Sequence, residues 1–176
     1  MSEASYRLSD AADAYVYGLH AQAGVTTGLG TTSSPTAINS SNVLSTFGEV
    51  ARRLSDANCP EEGRFIVIPP WLHLKARLAK ITNENTTNLA LEEGFADKIL
   101  GFNVLVSNNV QTSGSATKVL AGTTAAITYA DGIVKTEAMR LESAFADGLR
   151  GLHVYGAKVV NADCLACLSC SEAAES

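Results

Sequence analysis

The sequence predicts an α+β domain, on three observations. Residues 43–54 repeat apolar side chains at helical spacing, and Phe65–Ile68 is an unbroken apolar run of the kind shown by a strand covered on both faces. Helical and strand-like stretches follow one another in mixed order, with no repeated βαβ unit and no internal repeat. The 176 residues suit one domain of ordinary size, or one with two lobes, and are enough to bury a core.

In chain order, residues 9–23 read as a helix. Ser9 or Asp10 would cap it, since a short side-chain oxygen can accept from the open N–H groups of the first turn. Leu8, Ala12, Tyr15, Leu19 and Ala23 fall on one stripe, and Gly24 stands where a left-handed C-cap would sit. The stretch GVTTGLGTTSSPTAINSS that follows is rich in Gly, Ser and Thr, so it is expected to be a loop or a short irregular hairpin between two lobes.

The second helix is the clearest element. Asn42 is its expected cap, and Val43, Phe47, Val50 and Leu54 mark its buried stripe, widened by Leu44 and Ala51. Asn58-Cys59-Pro60 ends it, because proline cannot continue the hydrogen-bond ladder. Arg52 and Arg53 lie on the other side. Such arginines are ordinarily solvated, but their planar forked donors also suit contacts between subunits, which makes them the inter-subunit candidates.

The strand through Phe65 and Val67 is stopped by Pro69, and Pro70 suits the first turn of a helix. Trp71, Leu74 and Leu78 share one face of that helix and are expected to bury it, with His73, Lys75 and Arg77 off the face. NENTTN at 83–88 reads as a polar turn. Phe102–Val106 is a strand ended by Asn108-Asn109, a pair that tolerates left-handed backbone. QTSGSATK at 111–118 reads as a flexible loop tip, and Val119–Ala121 and Ile127–Ala130 as short strands. Residues 133–147 fit an amphipathic helix or an edge strand equally. Residues 151–160 are a strand, and beyond Asp163 the chain turns polar and is expected to be a flexible, cysteine-containing tail, 164–176.

Bulk composition narrows the function. The chain is 46% apolar and 18% charged, with a mean hydropathy of +0.10. Charge is scarce for a globular surface, which favours an oligomer whose subunits cover one another. A net charge of −5 with scattered Lys and Arg argues against a basic nucleic-acid-reading stripe. No apolar run of membrane-spanning length and no charged leader with an apolar stretch behind it is present, so a soluble, intracellular chain with no membrane partner is expected.

No catalytic constellation emerges. GVTTGLGTT has glycines, but no strand leads into it and no helix starts directly after it, so it is not a phosphate cradle. His20, His73 and His153 sit far apart in sequence on different elements, and Glu92-Glu93, as neighbours on a helix, would not face each other. No cofactor is expected. The one chemically loaded cluster is CLACLSC, whose Cys164, Cys167 and Cys170 have part of the spacing of a zinc or iron–sulfur ligand set. A fourth ligand would have to be Cys59, and the cluster lies in the polar tail. Reduced thiols are therefore expected, with a small metal-binding protein as the minor alternative.

The segments LSDANCPEEGRFIVIPPWLHLKARLA, GFNVLVSNNV and TTAAITYADGIVKTEAMRLESAFADGLRGLHVYGAKVV then line up with something larger. In this order and spacing they resemble the C-terminal two thirds of the major capsid proteins of tailed phages, with the Hong Kong 97-like fold, over about residues 5–163. The resemblance implies a single capsid-type domain, 1–163. The helix at 9–23 would be the spine helix of a peripheral lobe (about 1–35 and 148–163). An axial lobe of mixed sheet and flanking helices (about 36–147) would reach the symmetry axes through loops such as QTSGSATK. The rigid piece made by Phe65, Val67, Pro69, Pro70, Trp71 and Leu74 would hold that lobe in register.

The resemblance further implies a non-enzymatic shell subunit that pairs with itself in pentamers and hexamers. Such a shell encloses DNA without reading its sequence and meets scaffolding, portal or protease proteins, first in the host cytoplasm and then in the virion. The family's extended N-terminal arm and long clasping hairpin have no counterpart here, as in a trimmed chain, a prophage remnant or a relative that assembles without them. A nanocompartment shell of the same fold around a cargo protein is the alternative.

Overall fold

A computed structural model describes residues 2–83, 98–140 and 147–174. Helix α1 (Ser2–Tyr17) starts about two turns before the expected cap, so Ser9 and Asp10 lie inside it. A 3-10 turn, Gly18–Gln22, continues it. Ala12 and Leu19 are buried, whereas Leu8 and Tyr15 of the expected stripe are about half exposed.

The Gly/Ser/Thr-rich stretch is neither free loop nor hairpin. Val25 bridges Ala166, the Leu29 carbonyl accepts from the Ser169 amide at 2.8 Å, and β1 (Thr36–Ile38) pairs in parallel with residues 170–172. It is an interrupted strand. Gly30, at φ +74°, is fixed by close approach, because a Cβ there would overlap the Ser169 carbonyl and the Thr36 amide.

Helix α2 (Val43–Asp56) forms where its stripe predicts, and Val43, Phe47, Val50 and Leu54 are fully buried. Asn42 does stand at the N-cap, but its side chain gives the first turn no bond. Its Oδ1 accepts from the Asn39 amide, and its Nδ2 donates to the Ala37 carbonyl. At the other end Asn58 takes φ +58°, with Asn58 N–H on Ser55 O and Cys59 N–H on Leu54 O, a Schellman closure with asparagine in glycine's place.

Strand β2 (Arg64–Ile68) is covered on both faces as expected, with Ile66, Val67 and Ile68 buried. Pro70 opens α3 (Pro70–Asn83). The face assigned to the core is corrected here. Leu72, Ala76 and Ala79 are buried, while Leu74 is 58% exposed, Leu78 41% exposed and Trp71 half-buried against the core's edge. Counting bulky residues picked the wrong stripe, because two alanines let the helix approach the sheet more closely than leucines would. Leu74→Ser should therefore change the unfolding free energy by less than about 0.5 kcal/mol in a denaturant titration. A loss of core size would restore the sequence-based face.

The polar turn at 83–88 and Glu92-Glu93 lie outside the described residues, apart from Asn83 itself, which ends α3. Strands β3 (Lys98–Ile99) and β4 (Phe102–Val106) are joined by Leu100 and Gly101, both left-handed as a two-residue hairpin requires. Asn108 and Asn109 are not left-handed. QTSGSATK is likewise no loose tip. It is a hairpin of β5 (Thr112–Ser113) and β6 (Ala116–Thr123) turning at Gly114, and β6 is buried along its whole length. This corner is pinned to α1, because Asn109 Nδ2 donates to Asp10 Oδ1 at 2.6 Å and Gln111 Nε2 to the Ala14 carbonyl at 3.4 Å.

Strands β7 (Ile127–Arg140) and β8 (Asp147–Val159) form a separate two-stranded antiparallel ribbon, with a bulge between Ile133 and Lys135. The ambiguous stretch from 133 is thus strand as far as Arg140. The lobe boundary expected near 147 would divide the two paired strands of this ribbon between lobes.

The largest correction concerns the tail. Residues 165–172 are strand β9 (Leu165–Glu172), paired with β6 on one side and β1 on the other. The larger sheet runs β1-β9-β6-β2-β4-β3, with β5 alongside β6. Helices α2 and α3 cover one face, where Ile66, Phe102, Val119 and Leu168 meet the α2 stripe in one core. Among the described residues no helix is long and apolar enough to cross a membrane.

Candidate inter-subunit surface

Two outward regions and one buried cluster hold the residues singled out from the sequence. On α2, Arg52 grips Glu49 with two bonds of 2.6 and 2.9 Å and reaches Asp56 at 2.8 Å, while Arg53 Nε bonds Glu49 at 2.8 Å. Hydrogen bonds from Arg52 and Arg53 pull the Glu49 carboxyl down to about 2. The two candidate contact arginines are therefore satisfied within their own helix. A neighbouring subunit would have to offer acceptors that compete with Glu49.

The second region is the face shared by α1 and the ribbon. Tyr15 and Tyr155 meet edge to face, with centroids 5.5 Å apart, and the His153 ring lies 5.3 Å from Tyr155. His153 Nε2 is 3.2 Å from Asp131 Oδ2, on the wall of a cleft of about 420 Å³ lined by Leu8, Ser9, Ala12, Asp13, Val16, Tyr129, Asp131 and His153. His153 Nδ1 is buried without a partner, so the His–Asp pair is not continued into a held nucleophile, as acyl-transfer chemistry requires. On the other face of the ribbon Leu152 and Val154, which alternate with His153 and Tyr155, are more than half exposed, as are Val160 and, on α1, Tyr6 at 70%. That density of open apolar side chains marks a surface made to be covered.

The cysteines form no metal site. All four are reduced and buried. Cys167 and Cys170 are three apart on β9, so their side chains leave opposite faces of the sheet and cannot converge on one ion. Burial drives the Cys164, Cys167 and Cys170 thiols up, Cys170 to about 12, and the Lys118 ammonium only partly offsets this at Cys167 and Cys170. Among the described residues no three His, Cys, Asp or Glu side chains are grouped to hold a metal. What looked like ligand spacing is a buried strand written in small sulfur side chains.

Sequence reasoning missed three buried cations. Arg64 donates to the Pro60, Ala51 and Cys59 carbonyls and to Ser55 Oγ. Lys118 donates to Thr32 Oγ1 at 2.6 Å and Ser169 Oγ at 2.8 Å, on the sheet face away from α2. Lys75 reaches the Ala173 carbonyl at 2.6 Å and lies 3.7 Å from Glu172, tying α3 to the end of β9. The available signal was a charged residue at the head of, or inside, an otherwise apolar segment. Of the expected structural residues, Val67 and Pro69 are buried, Phe65 and Trp71 half-buried, and Pro70 and Leu74 exposed.

This architecture matches known shells. A structure from Mycobacterium phage Che8 superposes with a TM-score of 0.76 at 24% identity, covering 93% of this chain and 59% of that one. The capsid of cyanophage P-SCSP1u gives 0.65 at 16% identity, over 100% and 66% of the two chains. A virus-like particle from Pyrococcus furiosus gives 0.59 at 14% identity, over 92% and 63%. The chain thus spans about three fifths to two thirds of the length of these neighbours, and at such identities the likeness establishes the fold, that of Hong Kong 97-like capsids. No curated protein matches the sequence. A family model described as phage capsid protein matches residues 1–168, and the chain belongs to that family.

Proposed function

We propose that the protein is a major capsid subunit of a tailed phage or prophage, whose copies join in pentamers and hexamers into a closed shell around DNA. The family match over residues 1–168 carries this reading. The half-exposed apolar side chains on α1, α3 and the ribbon support it, since closed symmetry lets many such modest contacts add up to a stable assembly. The role is structural rather than catalytic. DNA would be held without sequence recognition, in keeping with a net charge of −5, and scaffolding, portal or protease proteins would act on the same subunit during assembly. Its place would be the host cytoplasm first and the virion afterwards.

Light scattering across a concentration series tests this reading, with electron micrographs of the same samples. Discrete multi-subunit species or closed particles are expected. A mass that stays at 18.4 kDa at every concentration, with no particles, would overturn self-assembly by this chain. Particles that co-purify with a protein cargo and no DNA would replace the head shell by a nanocompartment.

A further inference from the structure

Residues 59 and 164 are far apart in sequence and adjacent in the fold. Cys59 closes the turn after α2, where its carbonyl accepts from Arg64 Nη2 at 2.6 Å. Arg64 pairs across the sheet with Thr123 on β6. Gly122, the residue before Thr123, has no side chain, and that gap is filled by Cys164. A Cβ at Gly122 would overlap the Cys164 carbonyl and lie 3.2 Å from Leu165 Cα. Cys59 and Cys164 thus share the Arg64–Thr123 end of the sheet inside the common core, and Cys59 adds to burial in pushing the Cys164 thiol up, as an adjacent thiol does.

We propose that Cys59 and Cys164 are a latent disulfide, a site of oxidative cross-linking that staples the α2–β2 turn to the start of β9. The oxidant is a peroxide. Cys164 is the thiol attacked first, because the turn that carries it opens on exposed residues at 161 and 163, and the Asn161 amide donates to its sulfur at 3.3 Å. Its sulfur takes one oxygen from the peroxide, giving a sulfenic acid and one water. The Cys59 sulfur then displaces that oxygen as a second water, and the S–S bond forms. Two thiols have lost two protons and two electrons, and the O–O bond has received them.

Burial holds the Cys164 thiol protonated, so the reaction is slow and waits on local opening of the 162–164 turn. Cys167 and Cys170 have no such neighbour, since they leave β9 on opposite faces. In the shell reading, the thiols would stay reduced in the cytoplasm and close after release into an oxidising medium.

The test uses the full native chain. It is incubated with hydrogen peroxide, its remaining thiols are alkylated, and it is digested without reductant for mass spectrometry. A peptide pair joined through Cys59 and Cys164, two hydrogens lighter than its parts, is expected. The bond closes a loop of roughly a hundred residues, so the melting temperature should rise by roughly 10 °C and fall back on adding dithiothreitol. Cys59→Ser should leave a sulfenic acid at Cys164 that dimedone captures. If that variant does not fold, the wild-type peptide map decides alone. Linkage through Cys167 or Cys170, Cys164 oxidised past the sulfenic state with Cys59 still alkylated, or no linkage at all would each overturn the proposal.

Discussion

Ending the chain after Asp163 should abolish folding. The shortened protein is expected to show no cooperative melting transition and to be expanded or aggregated in solution. Strand β9 is the second strand of the larger sheet, bonded to β6 from Thr117 to Gly122 on one side and to β1 on the other. It also receives the Val25 and Leu29 backbone, so its loss releases residues 24–38 as well. Leu165, Leu168 and Cys170 would leave the core floor open beneath α2, and β6 would become a long unprotected edge. Each buried leucine is worth about 2–5 kcal/mol against alanine, and a whole domain is stable by only about 5–15 kcal/mol. A milder form of the test is Leu168→Ala, which should cost about 2–5 kcal/mol by denaturant titration. A truncated chain that melts at the parent temperature would return β9 to the loose tail that the sequence suggested.

That strand shows where a single sequence is legible and where it is not. Helix α2 and strands β2 and β4 announce themselves, because bulky apolar residues recur at one spacing and local caps or prolines bound them. Strand β9 has two buried leucines, Leu165 and Leu168, and carries the rest of its burial in Ala166, Cys167, Ser169 and Cys170. Cysteine is among the most buried side chains, yet beside polar flanks it reads as chemistry rather than core. The α3 face failed for a related reason, since Ala76 and Ala79 are weak signals individually and decisive together in letting the helix close on the sheet.

Other features leave no local trace. The interrupted strand at 24–38 exists only because β9 returns beside it, and the α1–ribbon cleft joins residues 8–16 to 129–153. Arg52 and Arg53 could be placed on the outer face of α2 from spacing alone, but their capture by Glu49 and Asp56 required side-chain geometry. The capsid resemblance was readable because it rests on order and spacing of whole segments, which survive where individual contacts do not.

Arg64 joins the two levels, and its replacement is the second large effect. It stands at the head of β2, is 4% exposed, and its guanidinium meets four acceptors, none of them a carboxylate. Three are carbonyls, one of Ala51 within α2 and two of Cys59 and Pro60 beyond its end, so the cation is matched by partial charges rather than by an ion. Arg64→Ala removes every donor at once and leaves the buried Cys59 carbonyl, with three partly buried oxygens, without its partner. The expected cost is about 3 kcal/mol or more, a fall in melting temperature of roughly 6–12 °C. Arg64→Lys should recover only part of it, because a single ammonium cannot reproduce a fork that bonds Pro60, Cys59, Ser55 and Ala51 together. Full recovery by lysine would mean that charge alone is required. Partial recovery would mean that the fork clamps the end of α2 against the central strand, fixing how helix and larger sheet meet.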